Sequence, residues 1–153
     1  LRDIGNLAIP DKLLRQSEPG SQADRFIIQQ HPVIGHRILS RIKFLQESAL
    51  LVLHHHEHYD GSGYPRGLEG EQIDLGARIF AVVEEFDRLI SAGHSGGNPG
   101  FTSAVRKIRE KAGKLLDPEI VEKLAQIPTS EWEEVYRQIP VSKNGCLDLP
   151  AQL

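Results

Sequence analysis

The chain has no methionine and only one cysteine, Cys146, among its 153 residues. Without a methionine, Leu1 does not read as a translation start, and the N-terminus is expected to be processed or cut. A lone cysteine excludes an internal disulfide and suits a reducing compartment, so a cytoplasmic location is expected. Excess positive charge is also missing. Lys and Arg number 18 against 21 Asp and Glu, a net charge of −3. That balance argues against a general nucleic-acid binder, and no DNA partner is expected. No apolar run reaches membrane-spanning length and no signal peptide is visible, so no membrane segment is expected. Nor is there an internal repeat, or a period-2 alternation long enough to argue for a sheet.

What is present suits a folded helical chain. Hydrophobic residues make up 39% and charged residues 25%, which argues against disorder. The length suits one domain with a real core. Apolar residues recur at helical spacing over 21–30 (Phe26, Ile27, Ile28) and from Pro32 onward (Val33, Ile34, Ile38, Leu39, Ile42). The pattern continues over 45–57, where the helix is expected to run into a histidine run, and over 75–91, 102–113 and 118–127. A last helix is expected from Ser130, where Ser130 and Glu133 have the spacing of a capping box. Residues 93–100 and 140–153 read as loop and tail. The fold class is all-α, a compact helical bundle.

The chemistry is concentrated in one segment. His54-His55-His56-Glu57-His58-Tyr59-Asp60-Gly61-Ser62-Gly63-Tyr64-Pro65 holds four of the seven histidines, with two carboxylates and a Gly/Pro-rich turn. Clustered imidazoles and carboxylates suit borderline transition metals. Gly61 and Gly63 can take positive φ, and Pro65 fixes its own φ and restricts Tyr64, so a rigid exposed loop is expected. Neighbouring residues on a helix point about 100° apart. His55 and His56 therefore cannot easily chelate one ion together, but each can face a different metal of a polynuclear site. The remaining histidines, His36, His54, His58 and His94, carry no specific pattern and read as surface residues.

The segment His55-His56-Glu57-x-x-Asp60-Gly61-x-Gly63-Tyr64-Pro65 resembles the signature of HD-GYP domains, bacterial metal-dependent phosphodiesterases that open cyclic di-GMP. The likeness extends to Gln30-His31-Pro32-x-x-Gly35, to Leu75-Gly76-Ala77-Arg78-Ile79 and to Asp117-Pro118. It runs over roughly residues 1–125. It implies an HD-type bundle over 1–127, with the C-terminal helix and tail over 128–153. It also implies helices before Leu1 that carry at least one further ligand, and an upstream sensor or receiver domain. By the resemblance, Asp3, His31, His55, His56 and Glu84 hold a di- or trinuclear iron or manganese centre, and Asp3 is also catalytic. The substrate implied is cyclic di-GMP or a related dinucleotide. Gly61, Gly63, Tyr64 and Pro65 form a surface that the family uses to dock diguanylate cyclase (GGDEF) domains.

This chain departs from the family pattern at several points. Arg2 stands where the family has the histidine of its His-Asp pair, and an arginine offers no lone pair. Asn6 stands in place of a lysine that would neutralise phosphate, and Glu84 in place of an aspartate. The segment 91–100 has no Arg, Lys or Tyr where the family grips the dinucleotide. These changes remove metal, phosphate and substrate-binding charge, so metal is expected at reduced occupancy or absent. The expected function is a degenerate HD-GYP phosphodiesterase with weak or no catalysis. The alternative is a non-catalytic module that docks GGDEF domains through the GYP loop. A blander reading also stands beside these, in which His31 is a helix-start residue, the histidine run a solvated helix end and Glu84 part of a polar helix face.

Overall fold

Eight α-helices and three short 3-10 turns make up the computed structural model, which describes residues 1–16, 20–92 and 100–138. The helices are α1 (Asp11–Leu14), α2 (Gln22–Ile28), α3 (His31–Leu39), α4 (Gln46–His54), α5 (Leu75–Ala92), α6 (Phe101–Arg109), α7 (Pro118–Ala125) and α8 (Thr129–Gln138). The 3-10 turns cover Ile4–Ala8, Lys43–Leu45 and Gly70–Gln72. Among the described residues there is no strand, only isolated bridges at Asp60 with Glu69 and Ala112 with Leu116. The expected all-α bundle is the observed architecture.

Helix starts follow local chemistry. The Ser21 hydroxyl caps α2 by accepting from the Asp24 backbone N–H at 3.1 Å. Asp117 caps α7, accepting from the Glu119 and Ile120 N–H groups at 2.8 and 3.3 Å. Pro118 behind it sits where no intrahelical N–H is needed. The Asp74 carboxylate accepts from the Ala77 N–H at the start of α5.

Two apolar clusters hold the elements. The larger gathers Val82, Phe86 and Ile90 from one face of α5 with Phe101, Ala104 and Ile108 of α6 and Val121 and Leu124 of α7. Each fully buried side chain of this size adds about 1.5–3 kcal/mol. Trp132 brings α8 onto the same cluster, its ring centroid 4.8 Å from that of Phe86. The smaller cluster is Leu39, Ala49 and Val52, with Ile4 and Leu45 packed against it. It joins α3, α4 and the Ile4–Ala8 turn. That turn fits because Gly5 has no side chain: a Cβ there would collide with the His31 carbonyl oxygen. The N-terminal turn is thus pressed against the first turn of α3, and this puts Asp3 beside His31.

Several expectations need correction. The third long helix ends at His54, not at Glu57. The last helix begins at Thr129, so Ser130 lies inside its first turn rather than at its cap. The sixth helix covers Phe101–Arg109 rather than 102–113. Phe26 is 65% exposed and α2 contributes no buried residue, although its apolar run suggests a core face. His54 is buried, not at the surface, and its Nδ1 accepts from the Asp74 N–H at 3.3 Å. The segments 93–99 and 139–153, including His94, Cys146 and most of the expected loop and tail, lie outside the described residues.

Candidate metal centre

His31 opens α3, and His55 and His56 follow the last residue of α4. α4 stops at His54, and His55 at its C-cap keeps αR angles of φ −68° and ψ −10°. Their ring centroids lie 4.1 Å apart. One ligand atom from each of His31, His55 and His56 falls within 4.8 Å of the others, so the three can share one ion. A shared ion is thus open to His55 and His56 as well as the separate metals expected for them.

The hydrogen bonds set the tautomers. His31 Nδ1–H donates to the Ile28 carbonyl oxygen and His55 Nδ1–H donates to the Val52 carbonyl oxygen, both at 2.8 Å. A carbonyl only accepts, so each Nδ1 carries the proton and each Nε2 presents its lone pair. The two Nε2 atoms face each other at 3.3 Å. Two facing lone pairs call for a cation between or beside them. Burial lowers the pKa of His55, and burial with the neighbouring His55 lowers His56 to about 3. Protonation of those rings is therefore disfavoured, and the donor set fits a borderline divalent metal.

Asp3 comes to the same place. Its Oδ1 is 3.7 Å from His31 Nε2 and 3.9 Å from His55 Nε2. Its Oδ2 accepts from Arg2 Nε at 2.9 Å. Arg2 Nη1 forms an ion pair with Glu84 Oε1 of α5, and the guanidinium lies 5.7 Å from the Phe80 ring centroid. Glu84 is therefore held by Arg2 at the edge of the site. It is not one of the residues that converge on the histidine nitrogens. A cleft of about 490 Å³ opens beside these groups, lined by Arg2, His55, His56, Glu84, Arg88 and Lys111 among others. That volume suits a small-molecule ligand. Glu85 in its wall takes Lys111 Nζ at 2.7 Å and a two-point contact from Arg88. These hydrogen bonds, that from Arg88 foremost, hold its carboxyl below the usual glutamate value.

The loop after the histidines folds back on them. Gly61 has φ +78°, the positive value expected of it. Gly63 is needed for a different reason: a Cβ would strike the His58 nitrogen and crowd Glu57 Cα at 2.6 Å. The Tyr64–Pro65 peptide is cis. The Tyr64 ring stacks on His56, centroids 4.7 Å apart and planes 19° apart. Burial raises the Tyr64 phenol to about 12. The loop is thus not wholly exposed as expected. Gly61, Gly63, Tyr64 and Pro65 are half-buried, and Ser62, Arg66 and Gly67 form the exposed rim.

Two residues matter more than their sequence context suggests. Glu57 is buried, and its Oε1 and Oε2 accept from the Arg66 and Leu68 N–H groups at 2.7 and 2.9 Å. It clamps the loop and is not part of the histidine cluster. Arg78 donates to buried Asp117 at 2.6 Å, tying α5 to the cap of α7. Both motif segments were visible in the sequence, but nothing local indicated these pairings.

An HD-domain family model matches residues 1–120. The chain belongs to the HD-domain family. Phosphohydrolases of this family are metal-dependent, in keeping with the three-histidine group. The HD domain is 41% identical over 126 residues to the cyclic di-GMP phosphodiesterase response regulator RpfG of Xanthomonas campestris pv. campestris, covering 81% of this chain and 33% of that protein. It is 39% identical over 140 residues to a cyclic di-GMP phosphodiesterase of Thermotoga maritima, covering 90% and 38%. The 3'3'-cGAMP-specific phosphodiesterase 2 of Vibrio cholerae is 34% identical over 137 residues, covering 88% and 25%. This HD domain thus spans about a third of the length of the curated relatives it matches. Among solved structures, a cyclic GMP-AMP-specific phosphodiesterase of V. cholerae (V-cGAP3) shares the fold, with a TM-score of 0.57 and 23% identity over 86% of this chain and 33% of that one. No helix among the described residues is long and apolar enough to cross a membrane.

Proposed function

We propose that this chain is the HD-GYP module of a metal-dependent cyclic dinucleotide phosphodiesterase with weakened turnover. The carrying observation is the convergence of His31, His55 and His56 at the edge of a cleft, with His31 and His55 held through Nδ1–H by backbone carbonyls so that their Nε2 atoms face the site. The substrate proposed is cyclic di-GMP or a related dinucleotide, the class named for the relatives. The metal proposed is iron or manganese. When bound, such an ion supplies Lewis-acid activation of water and of the phosphodiester. The chain's own residues do the rest. His31, His55 and His56 would hold it through nitrogens already turned inward, and Asp3 Oδ1 faces the same point. Lys111 and Arg88 also line the cleft, where both pair with Glu85.

Weakened turnover follows from Arg2, which ties up Asp3 Oδ2 and Glu84. A receiver or sensor domain attached to this chain belongs to the same proposal, since the Xanthomonas relative is named a response regulator. A cytoplasmic location goes with the reading, in line with the single cysteine. The second reading, docking of GGDEF domains through Gly61, Gly63, Tyr64 and Pro65, would have to use the exposed rim at Ser62, Arg66 and Gly67. The test is hydrolysis of cyclic di-GMP and 3'3'-cGAMP by the intact protein with Mn(II) or Fe(II). Slow metal-dependent hydrolysis that disappears in His55→Ala is expected. An absence of metal-dependent hydrolysis in both wild type and Arg2→His would sink the phosphodiesterase reading.

A further inference from the structure

We propose that the Arg2 guanidinium stands in place of a second cation, so that this site takes one divalent metal rather than two. The inference rests on the metal-site reading of the histidines and deepens it.

The geometry divides Asp3 between the Arg2 guanidinium and the neutral histidine nitrogens that would hold a cation. Oδ1 faces the histidine nitrogens at 3.7 and 3.9 Å, and Oδ2 accepts from Arg2 Nε at 2.9 Å. A carboxylate shared in this way between two cations is the arrangement of a bridged pair of ions, with the guanidinium as one member. The same guanidinium pairs with Glu84 through Nη1. Phe80 lies beneath it, 5.7 Å from the ring centroid, which adds a cation–π contact. Arg2 is therefore held on three sides. It cannot lose its proton, and its planar fork suits two-carboxylate recognition.

Charge counting leads to the same result. In the Asp3–Arg2–Glu84 chain beside the histidines, which bind metal as neutral imidazoles, the fixed charges are two carboxylates and one guanidinium. Their net charge matches one dication far better than two. A second dication at Glu84 would have to displace the guanidinium or sit against it, and the repulsion acts in a half-buried site where solvent screens less than in bulk water. Glu84 is then a partner for Arg2 and not a metal ligand.

The test counts metal in the intact protein and does not depend on turnover. Protein equilibrated with Mn(II) alone is assayed by elemental analysis, and the site's share is the Mn(II) lost on His55→Ala. One Mn(II) per chain is expected for wild type and for Arg2→Lys, which keeps the charge. Two are expected for Arg2→His. Electron paramagnetic resonance of wild type should give the spectrum of an isolated Mn(II) ion, a readout that needs no variant to fold. Two Mn(II) in wild type, or the spectrum of a spin-coupled pair, would overturn the inference while leaving the phosphodiesterase reading intact. A folded Arg2→His that still binds one would also overturn it. No Mn(II) lost on His55→Ala would overturn both the inference and the metal reading beneath it.

Discussion

His31 and His55 face each other through Nε2 atoms 3.3 Å apart, while each gives its Nδ1 proton to a carbonyl oxygen in the turn before it. The contact juxtaposes two lone pairs, from residues at the start of α3 and the end of α4. Such an arrangement costs stability when nothing lies between the nitrogens and gains it when a metal does. Mn(II) at about 100 times its Kd should therefore stabilise the chain by about 2.7 kcal/mol. For a chain of this size that is roughly 5–10 °C in Tm. His55→Ala should abolish the metal-dependent rise. A rise of the same size in His55→Ala would place the ion elsewhere.

Glu57 should prove structural. Its two oxygens hold the Arg66 and Leu68 amides from a buried position. Glu57→Gln turns one acceptor into a donor facing an N–H, which should cost about 1–3 kcal/mol. Hydrogen exchange should speed up at Arg66 and Leu68 in particular. If those two amides stay as protected as in wild type, the clamp is not what orders the loop.

Tyr64 separates the packing role of the loop from its docking role. Its ring lies on His56, so Tyr64→Phe should keep stability and metal affinity. Tyr64→Ala removes a half-buried ring and should cost about 1–2 kcal/mol, less than the roughly 3–5 kcal/mol of a fully buried aromatic. It should also weaken Mn(II) binding by freeing the His56 ring. Binding to GGDEF domains of the same cell would be measured on both variants. A folded Tyr64→Ala that binds them as tightly as wild type would end the docking reading.

The acid limb of stability should carry the mark of Glu85. Hydrogen bonds from Arg88 and Lys111 hold its folded-state pKa below the free value of 4.5. The unfolded chain therefore takes up the proton first as pH falls. The stabilisation is complete above about pH 4.5 and is lost as pH drops through the lower folded-state value. Glu85→Gln should cost about 1 kcal/mol at neutral pH. The Tm curves of variant and wild type should converge in acid. A gap that persists far below the free-glutamate value would show that Glu85 acts through packing and not through charge.

Much of this was readable in the chain itself. The helical periods over α3, α5 and α7 are local, as are the caps at Ser21 and Asp117, because a helix repeats its burial every 3.6 residues and its first N–H groups need nearby acceptors. The motif around His55 and His56 points to metal chemistry, and its resemblance to the family extends to Asp3 and His31. The misjudged residues share a cause. Phe26 has the right spacing for a core face, but among the described residues α2 buries no side chain. Ser130 has capping-box spacing, but the helix had already begun at Thr129.

The sequence by itself determined the helical class, the family motif and the identity of the ligand-type side chains, since these depend on residue type and short-range spacing. Only the tertiary structure decided how those groups are used. The packing of α3 against α4 brings His31 to His55 and His56, so that one ligand atom of each falls within 4.8 Å of the others. The carbonyls of Ile28 and Val52 choose which nitrogen keeps its lone pair. Arg2 meets Glu84 because Arg2, just before the Ile4–Ala8 turn, and α5 both border the cleft, although the two residues are far apart in the chain. Tautomer, pKa and ion pairing depend on distance and desolvation, and neither exists until the helices have packed.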